Sequence, residues 1–428
     1  MSNKIGIFGL GISGISSLDF LNNLHSGIIC WDDSEDNRQK INSDLLLPLS
    51  HSDWQHLDTI IVSPGIPKSH AVFALAADYN ILISSDIELF LQLNHDSEII
   101  AITGTNGKST VTSLVGHILA KNNLDYHIGG NIGLPALSLP PHAKGYVLEL
   151  SSFQLDLLKH INPTIGVLLN LSPDHLDRHG TYSAYCSAKE KILHGDSLRI
   201  IGTNSSDSKK IYNKLHKSGE KNIVPIGHKD GLTCDEQKLV DNFFDFTSYD
   251  IPALPTNYEN IACAFTICRA LGAEASNIVK HLASFEGLKH RMQLVGSHKQ
   301  ISFYNDSKAT NVHASESSLS SLKNIFWLAG GIFKSENLLP LENHIKNVKK
   351  AYLFGKNKLI FEEYLKGKVD YVTCNTMEEA FDKATNDALG EENSSNILLS
   401  PACSSFDQFK NFEDRGNNFI NLYNERFQ

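Results

Sequence analysis

A glycine-bounded run of hydroxyl and lysine side chains, Thr103-Gly104-Thr105-Asn106-Gly107-Lys108-Ser109-Thr110, has the chemistry to grip a polyphosphate. Two glycines let backbone N–H groups turn toward an anion, Lys108 supplies a point charge for the outer phosphates, and Ser109 offers a hydroxyl to Mg2+. The run follows the apolar Ile99-Ile100-Ala101-Ile102 and opens a segment with Val111, Leu114, Val115, Ile118 and Leu119 at helical spacing. Strand, glycine loop and helix in that order put the loop at a helix N-terminus, where the dipole favours negative charge. The general phosphate-loop pattern has a glycine five residues before Gly107, and here that position is Ile102. A tight strand-to-helix turn would use the same glycines for positive φ, but it would not require Gly-Lys-Ser-Thr.

Other reactive side chains fall near the ends of apolar runs. Glu149 sits inside Tyr146-Val147-Leu148-Glu149-Leu150-Ser151-Ser152-Phe153-Gln154-Leu155, read as one strand with a carboxylate in its middle. Burying that carboxylate is costly unless it is paired or binds a metal, so Glu149 is a metal-ligand candidate, with a solvated strand end as the alternative. A strand over 165–170 leads into Leu171-Ser172-Pro173-Asp174-His175-Leu176-Asp177-Arg178-His179-Gly180, a crowd of acids and histidines that could serve a site or simply face water. Lys189, beside Glu190 and Lys191 on a helix over 181–193, reads from spacing alone as part of a charged solvated face.

The N-terminus has its own phosphate-type signature. A strand over 4–8 precedes Gly9-Leu10-Gly11-Ile12-Ser13-Gly14, a helix over 15–24 and a strand over 27–31 ending in Asp32-Asp33. An acid about 20 residues beyond the glycines suits a ribose hydroxyl, and any diphosphate nucleotide, a UDP-sugar included, could use this turn. Gly65 lies in the loop after the strand 59–62, and Asn131 in a glycine-rich loop over 129–133, for which a plain turn and an amide presented to a ligand are the two readings.

At 428 residues the chain is too long for one ordinary domain, and 41% hydrophobic residues can fill several cores. A net charge of −10 argues against a general nucleic-acid or anionic-membrane binder. Seven cysteines without a C-x-x-C pair fit reduced thiols in the cytoplasm. No apolar run reaches the roughly 18 residues that would span a bilayer, and the glycines near the N-terminus argue against a secretory leader.

Alternation of strands and helices implies an α/β fold of three domains, each an open sheet flanked by helices. These are a Rossmann-like domain over 1–91, a central phosphate-loop ATPase-like domain over 92–287, and a C-terminal Rossmann-like domain over 288–428. Segment 196–251 is ambiguous, with short apolar runs suited to strands or surface hairpins. In the third domain Asp306, Lys308 and Thr310 lie at the start of a helix, where Asp306 could be no more than an N-cap.

Several of these stretches together resemble the Mur ligases across all three domains: Thr103 to Thr110, Glu149 in E-L-S-S-F-Q-L, His175 in S-P-D-H-L-D-R-H, Lys189 in A-K-x-K-I, Asn305 to Asn311 as N-D-S-K-A-T-N, and Ser400 to Phe412 as S-P-A-C-S-S-F-D-Q-F-K-N-F. The phosphate loop is shared with folylpolyglutamate synthases, whereas the last two segments resemble the branch that adds D-glutamate. The resemblance implies an ATP-dependent ligation of D-glutamate to UDP-N-acetylmuramoyl-L-alanine through an acyl phosphate, a cytoplasmic step of peptidoglycan precursor synthesis. It implies a monomer without nucleic-acid partner or membrane insertion. It also implies ATP at Gly104, Thr105, Asn106, Gly107, Lys108, Ser109, Thr110, Asn257, Arg291 and Asp306. Two Mg2+ ions would be held by Ser109, Glu149, His175 and a Lys189 carbamylated by CO2, with Lys108, His175 and Lys189 serving catalysis. The UDP-muramoyl part would meet Ile12, Ser13, Asp32, Gly65, Asn131 and His175, and D-glutamate would meet Lys308, Thr310, Lys334, Ser404 and Phe412. Two departures stand out: Asp33-Ser34 replace the common Thr-Arg after the uracil-side acid, and Phe333 precedes Lys334 where glycine or an acid is usual.

Other readings are a same-fold ligase with another acceptor amino acid, a folate-polyglutamylating enzyme, a nicotinamide-dependent oxidoreductase using Gly9 to Asp32, and a non-catalytic nucleotide-binding regulator. The N-terminal glycine motif speaks against the folate enzyme, and Lys108 with the later motifs is left over by the oxidoreductase.

Overall fold

The computed structural model describes residues 4–24, 27–252, 257–334 and 337–428. Among them the chain forms three sheets with helices between strands, the expected α/β class. It divides into two compact units, Met1–Pro252 with Tyr258–Ser284, and Ala253–Asn257 with Phe285–Gln428.

The first unit holds two of the sheets. One has four parallel strands in the order Ile29–Trp31, Ile5–Phe8, Thr59–Val62, Leu82–Ser84. Ile5–Phe8 is buried throughout, as suits a parallel strand covered on both faces. The helix after it spans Ile12–Asn22 and so starts inside the glycine motif, earlier than the expected residue 15. Gly14 explains the shift: it is a helical residue pressed against the strand end, where a Cβ would collide with the Gly9 carbonyl oxygen.

The second sheet has nine strands, in the order Thr247–Asp250, Lys238–Asp241, Leu232–Cys234, Ile223–Ile226, Leu198–Gly202, Ile165–Leu168, Glu98–Thr103, Gly145–Glu149, Tyr126–Gly130. The strand feeding the phosphate loop, Glu98–Thr103, is therefore interior, between Ile165–Leu168 and Gly145–Glu149. The ambiguous segment resolves into parallel strands extended by an antiparallel pair, Lys238–Asp241 and Thr247–Asp250. Between those two the buried Asp241 carboxylate accepts from the N–H groups of Phe243 and Phe244, closing the turn.

The apolar interior runs across both sheets. Phe20 and Leu89 pack against the cluster of Leu18, Leu21 and Ile61, and also against that of Tyr146, Leu155 and Tyr185. The helix expected over 86–91 is Asp86–Leu93.

In the second unit, six strands run in the order Gln293–His298, Ile301–Asn305, Ser395–Leu399, Ile325–Gly330, Val348–Phe354, Asp370–Thr373, the first antiparallel to its neighbour. Phe303, Phe381 and Phe419 belong to one of its cores, and Trp327 with Phe361 to another. Two helix starts differ from expectation, and asparagine caps account for both. The helix Val312–Ser321 is capped by Asn311, which accepts from Ala314 N, so Asp306 is not its N-cap. The last helix, Phe412–Phe427, begins before residue 417 because Asn411 accepts from Asp414 N. Among the described residues no helix is long and apolar enough to cross a membrane.

Candidate functional site

Loop 104–107 leaves the interior strand at its carboxyl end and enters the helix Lys108–Lys121. Gly107 is the N-cap, with φ +85° and no side chain to satisfy the first N–H groups of the helix. Its missing side chain also matters for packing, since a Cβ would lie 2.5 Å from Asn260 Oδ1 on the helix Tyr258–Ala270. The loop is braced from the adjoining turn: Asn106 N donates to Asn170 Oδ1 at 2.9 Å, and Asn170 Nδ2 returns a bond to Asn106 O at 3.1 Å. Thr105 Oγ1 accepts from Ser172 N and lies 2.9 Å from the Tyr185 hydroxyl. Lys108 Nζ donates to the carbonyls of Gly104 and Thr105 at 2.8 and 2.7 Å, so its charge is held over the loop. Backbone donors, an uncapped helix start and a lysine over both form a phosphate cradle.

Lys189 does not face water. It is 2% exposed on the helix Tyr182–Glu190, with Nζ donating to Gly104 O at 2.8 Å and Thr103 Oγ1 at 3.2 Å, and 5.0 Å from the Tyr185 ring centre. Burial first, and then the positive Lys108, hold its amine pKa well below the ordinary lysine value. The reading of a solvated charged face is thereby overturned: helical spacing cannot show which side of the helix meets the phosphate loop.

Glu149, 2% exposed, is the last residue of its strand rather than the middle, because Ser151 opens a capping box with Gln154 and turns the chain into the helix Ser152–Leu157. Asn131 Nδ2 donates to Glu149 Oε1 at 2.9 Å, joining the glycine-rich loop to the carboxylate. His175 has φ +53° and stands before the short helix Leu176–His179, its ring 4.8 Å from that of Phe153. Burial pushes the imidazole pKa down, Asp174 opposes that shift, and Lys108 adds to it. Among the described residues no three His, Cys, Asp or Glu side chains are gathered as a metal site; Ser109 and Glu149 are each 2% exposed, and Mg2+ takes few protein ligands, leaving the rest to phosphate and water.

A cavity of about 710 Å3 lies between the phosphate loop and the first sheet; Ser109 and Glu149 are not part of its wall. Ile12, Ser13, Asp32, Gly65 and Asn131 line it together with Thr105, Lys108, His175 and Lys189. Asp32 is held by Leu10 N at 2.5 Å, Ser34 N at 2.7 Å and Asn37 Nδ2 at 3.1 Å, which ties the acid to the glycine loop. Where the Thr-Arg pair is missing, Arg38 takes up position nearby: its Nη1 donates to the Asp32 and Asp33 carbonyls and its guanidinium lies 4.6 Å from the Trp31 ring centre. Asn37 and Tyr185 also line the cavity but were not singled out from the sequence, because neither lies in a glycine or acid motif.

In the second unit, taken by itself, Lys308 Nζ is 5.2 Å from the Phe412 ring centre and Lys334 Nζ 5.8 Å from that of Phe406. Ser404 and Ile332 exchange backbone hydrogen bonds, and Thr310 N donates to Lys308 O. A residue missed in the sequence, Arg415, organises these loops. It is fully buried, donating through Nε to Ser307 Oγ and through Nη2 to Ser307 O and Cys403 O, while Ser307 Oγ donates to Phe412 O. Burial lowers its pKa only to about 10, so it remains a cation. Asp306 is spent inside this unit: Oδ1 accepts from Met292 N at 3.2 Å, and Oδ2 from Ser400 Oγ at 3.0 Å and from Ser318 Oγ. Desolvation raises its pKa to about 6 against the opposing pull of these bonds and of Arg291. Arg291 is half-buried in a bridge with Leu288, and Asn257 is exposed just ahead of the helix Tyr258–Ala270.

Residues 3–85 match the domain family described as Mur ligase MurD-like, N-terminal domain; residues 102–268 match the Mur ligase middle domain; and residues 290–403 match the Mur ligase, glutamate ligase domain. The UDP-N-acetylmuramoylalanine--D-glutamate ligase of Rickettsia bellii is 42% identical, over 98% of this chain and 97% of its own. That of Rhizobium johnstonii is 39% identical over 97% and 94%. Among solved structures, the MurF ligase of Thermotoga maritima in complex with ADP aligns over 99% of this chain and 96% of its own with a TM-score of 0.64 at 17% identity. The UDP-N-acetylmuramate-alanine ligase MurC of the same organism gives 0.63 at 17% identity over 99% of both chains.

Proposed function

The chain belongs to the Mur ligase family, and we propose that it is the ATP-dependent member that joins D-glutamate to UDP-N-acetylmuramoyl-L-alanine, a step of peptidoglycan precursor synthesis. The observation that carries this is a cavity walled by Ile12, Ser13, Asp32 and Gly65 on one side and by Lys108, His175 and Lys189 on the other. A substrate anchored through its uridine diphosphate on the first sheet would bring its alanyl carboxylate to the phosphate loop. Domain limits near residues 91 and 287, a cytoplasmic location and a monomer belong to the same reading.

In the first step a carboxylate oxygen of the alanyl group attacks the γ-phosphorus of ATP, forming an acyl phosphate and releasing ADP. The D-glutamate amine then attacks the acyl carbon, phosphate leaves with the electron pair, and the amine loses a proton as the amide forms. The work is chiefly positioning and charge neutralisation. Gly104 to Thr110 cradle the β and γ phosphates, with Lys108 moving from the loop carbonyls to the phosphate oxygens. Asn257 and Arg291 serve the nucleotide, and Asp306, with its carboxylate engaged internally, serves it by fixing the chain at Met292. Mg2+, when bound, supplies charge neutralisation of the phosphates; Ser109, Glu149 and His175 are the residues that would hold the ions. The depressed pKa keeps Lys189 available as a free amine. Its nitrogen can attack the carbon of CO2 and release a proton, leaving a carbamate whose oxygens put an anion beside the loop where a neutral amine stood. In the second unit Lys308 and Lys334 would meet the carboxylates of D-glutamate, with Thr310, Ser404 and Phe412 shaping its site.

Phosphate release that requires ATP, UDP-N-acetylmuramoyl-L-alanine and D-glutamate together is the expected result, with D-glutamate ligated from a panel of amino acids. Ligation of a different amino acid would move the chain to another branch of the family, and phosphate release without a UDP-linked acceptor would overturn the reading.

A further inference from the structure

Arg178 lies outside the phosphate loop, but its contacts end on both sides of the cavity. Its side chain is 9% exposed. Nη2 donates to the carbonyl of Ile66 at 3.1 Å, in the loop that follows Thr59–Val62 of the first sheet. Nη1 lies 3.6 Å from Asp156 Oδ2 on the helix Ser152–Leu157, which follows the Glu149 strand of the second sheet. The guanidinium also lies 5.4 Å from the centre of the Phe153 ring, which packs against His175 on another side. Ile66, Phe153 and His175 all line the cavity.

The neighbouring charges fit a clasp. Asp156 Oδ1 is taken by Lys68 Nζ at 2.7 Å, so one carboxylate receives a cation from the first sheet through Lys68 and one from the second through Arg178. His179, one residue further on, places Nε2 3.0 Å from Ser152 Oγ, and its ring is 5.7 Å from that of Phe153. The short helix Leu176–His179 is thus stapled to the helix Ser152–Leu157 around one aromatic ring, and Arg178 carries that assembly across to the Ile66 carbonyl beside the Lys68–Asp156 pair. A forked guanidinium can reach two elements at once where an ammonium is a single point.

We propose that Arg178 is a positioning residue for the ligation, holding the Ser63-Pro64-Gly65-Ile66-Pro67 loop of the UDP-substrate sheet at a set distance from His175 and so fixing where the acyl carboxylate arrives. This rests on the ligase reading above. Steady-state kinetics of the full chain test it, with ATP, D-glutamate and UDP-N-acetylmuramoyl-L-alanine varied in turn. Loss of a charge-assisted bond to the loop should raise the KM for the UDP substrate about tenfold and lower kcat in Arg178→Ala. The KM values for ATP and D-glutamate should stay within about twofold of wild type, since neither ligand depends on that loop. Arg178→Lys should recover part of the loss at a melting temperature close to wild type, and it keeps the test open if the alanine variant fails to fold. Unchanged KM for the UDP substrate in both variants would overturn the proposal, as would a rise in all three KM values together with a loss of thermal stability, which would mark Arg178 as scaffold. Absence of ligation by the wild-type protein would instead remove the functional reading beneath it.

Discussion

Replacing Asp306 with asparagine should change how the second unit responds to pH, by an amount the surroundings of the carboxyl set. An aspartate in the unfolded chain titrates near 3.8, and burial raises the folded Asp306 to about 6. Between those values the native state keeps a proton that the unfolded chain has released, so stability falls as pH rises through the window and levels off above it. A gap of about two pH units at about 1.4 kcal/mol each amounts to about 3 kcal/mol. Asparagine has no such proton, can still accept from Met292 N through Oδ1, and leaves Ser318 and Ser400 with their alternative partners Ala314 O and Ser315 Oγ. The stability of Asp306→Asn relative to wild type should therefore rise by about 2.5 kcal/mol from pH 4 to pH 7, the first part of the window lying below pH 4. Trp327 makes a local reporter, since its indole N–H donates to Ser400 O at 2.7 Å within the same network. Fluorotryptophan labelling and urea unfolding followed by 19F NMR would read that one tryptophan across the pH series. A difference between the two proteins that stays constant from pH 4 to pH 7 would refute the assignment of a desolvated, proton-holding carboxyl.

Three further outcomes follow from the site. Lys108→Ala should lower turnover by at least about a thousandfold while calorimetry finds UDP-substrate affinity within a few-fold of wild type, because the proposed anchor for that substrate is on the other sheet. Lys189→Ala should be inactive and partly restored by acetate, and 13C-bicarbonate should give a protein-bound carbamate resonance in wild type that the variant lacks; full activity in the variant would end the carbamate assignment. Gly107→Ala combines a φ of +85° with a Cβ 2.5 Å from Asn260 Oδ1, so ATP affinity should fall by about tenfold or more, measured by nucleotide titration.

The phosphate loop, the three alternating strand-and-helix regions and the N-terminal glycine turn with Asp32 could be read from local sequence, because glycines, apolar runs and acids at strand ends act over a few neighbours. What was misread depends on partners distant in sequence. Lys189 looks solvated until the helix that carries it is laid against Gly104, 85 residues away in the chain. Asp306 and Asn311 are both plausible caps in D-S-K-A-T-N; only the packing of Ser318 and Ser400 around Asp306 leaves the cap to Asn311. The early start of the helix at Ile12 reflects a contact between Gly14 and Gly9 rather than helix propensity. Arg415 gave no signal because an arginine in an amphipathic terminal helix usually faces water.

The shared interior of the first two sheets governs how this enzyme can be dissected. Phe20 and Leu89 each belong to the apolar packing of both, so severing the chain after residue 91 would bare two greasy faces that nothing else covers. A recombinant fragment of residues 1–91 should come out sticky and self-associating, and coexpression with the remainder, rather than isolation, is the route to a working split protein.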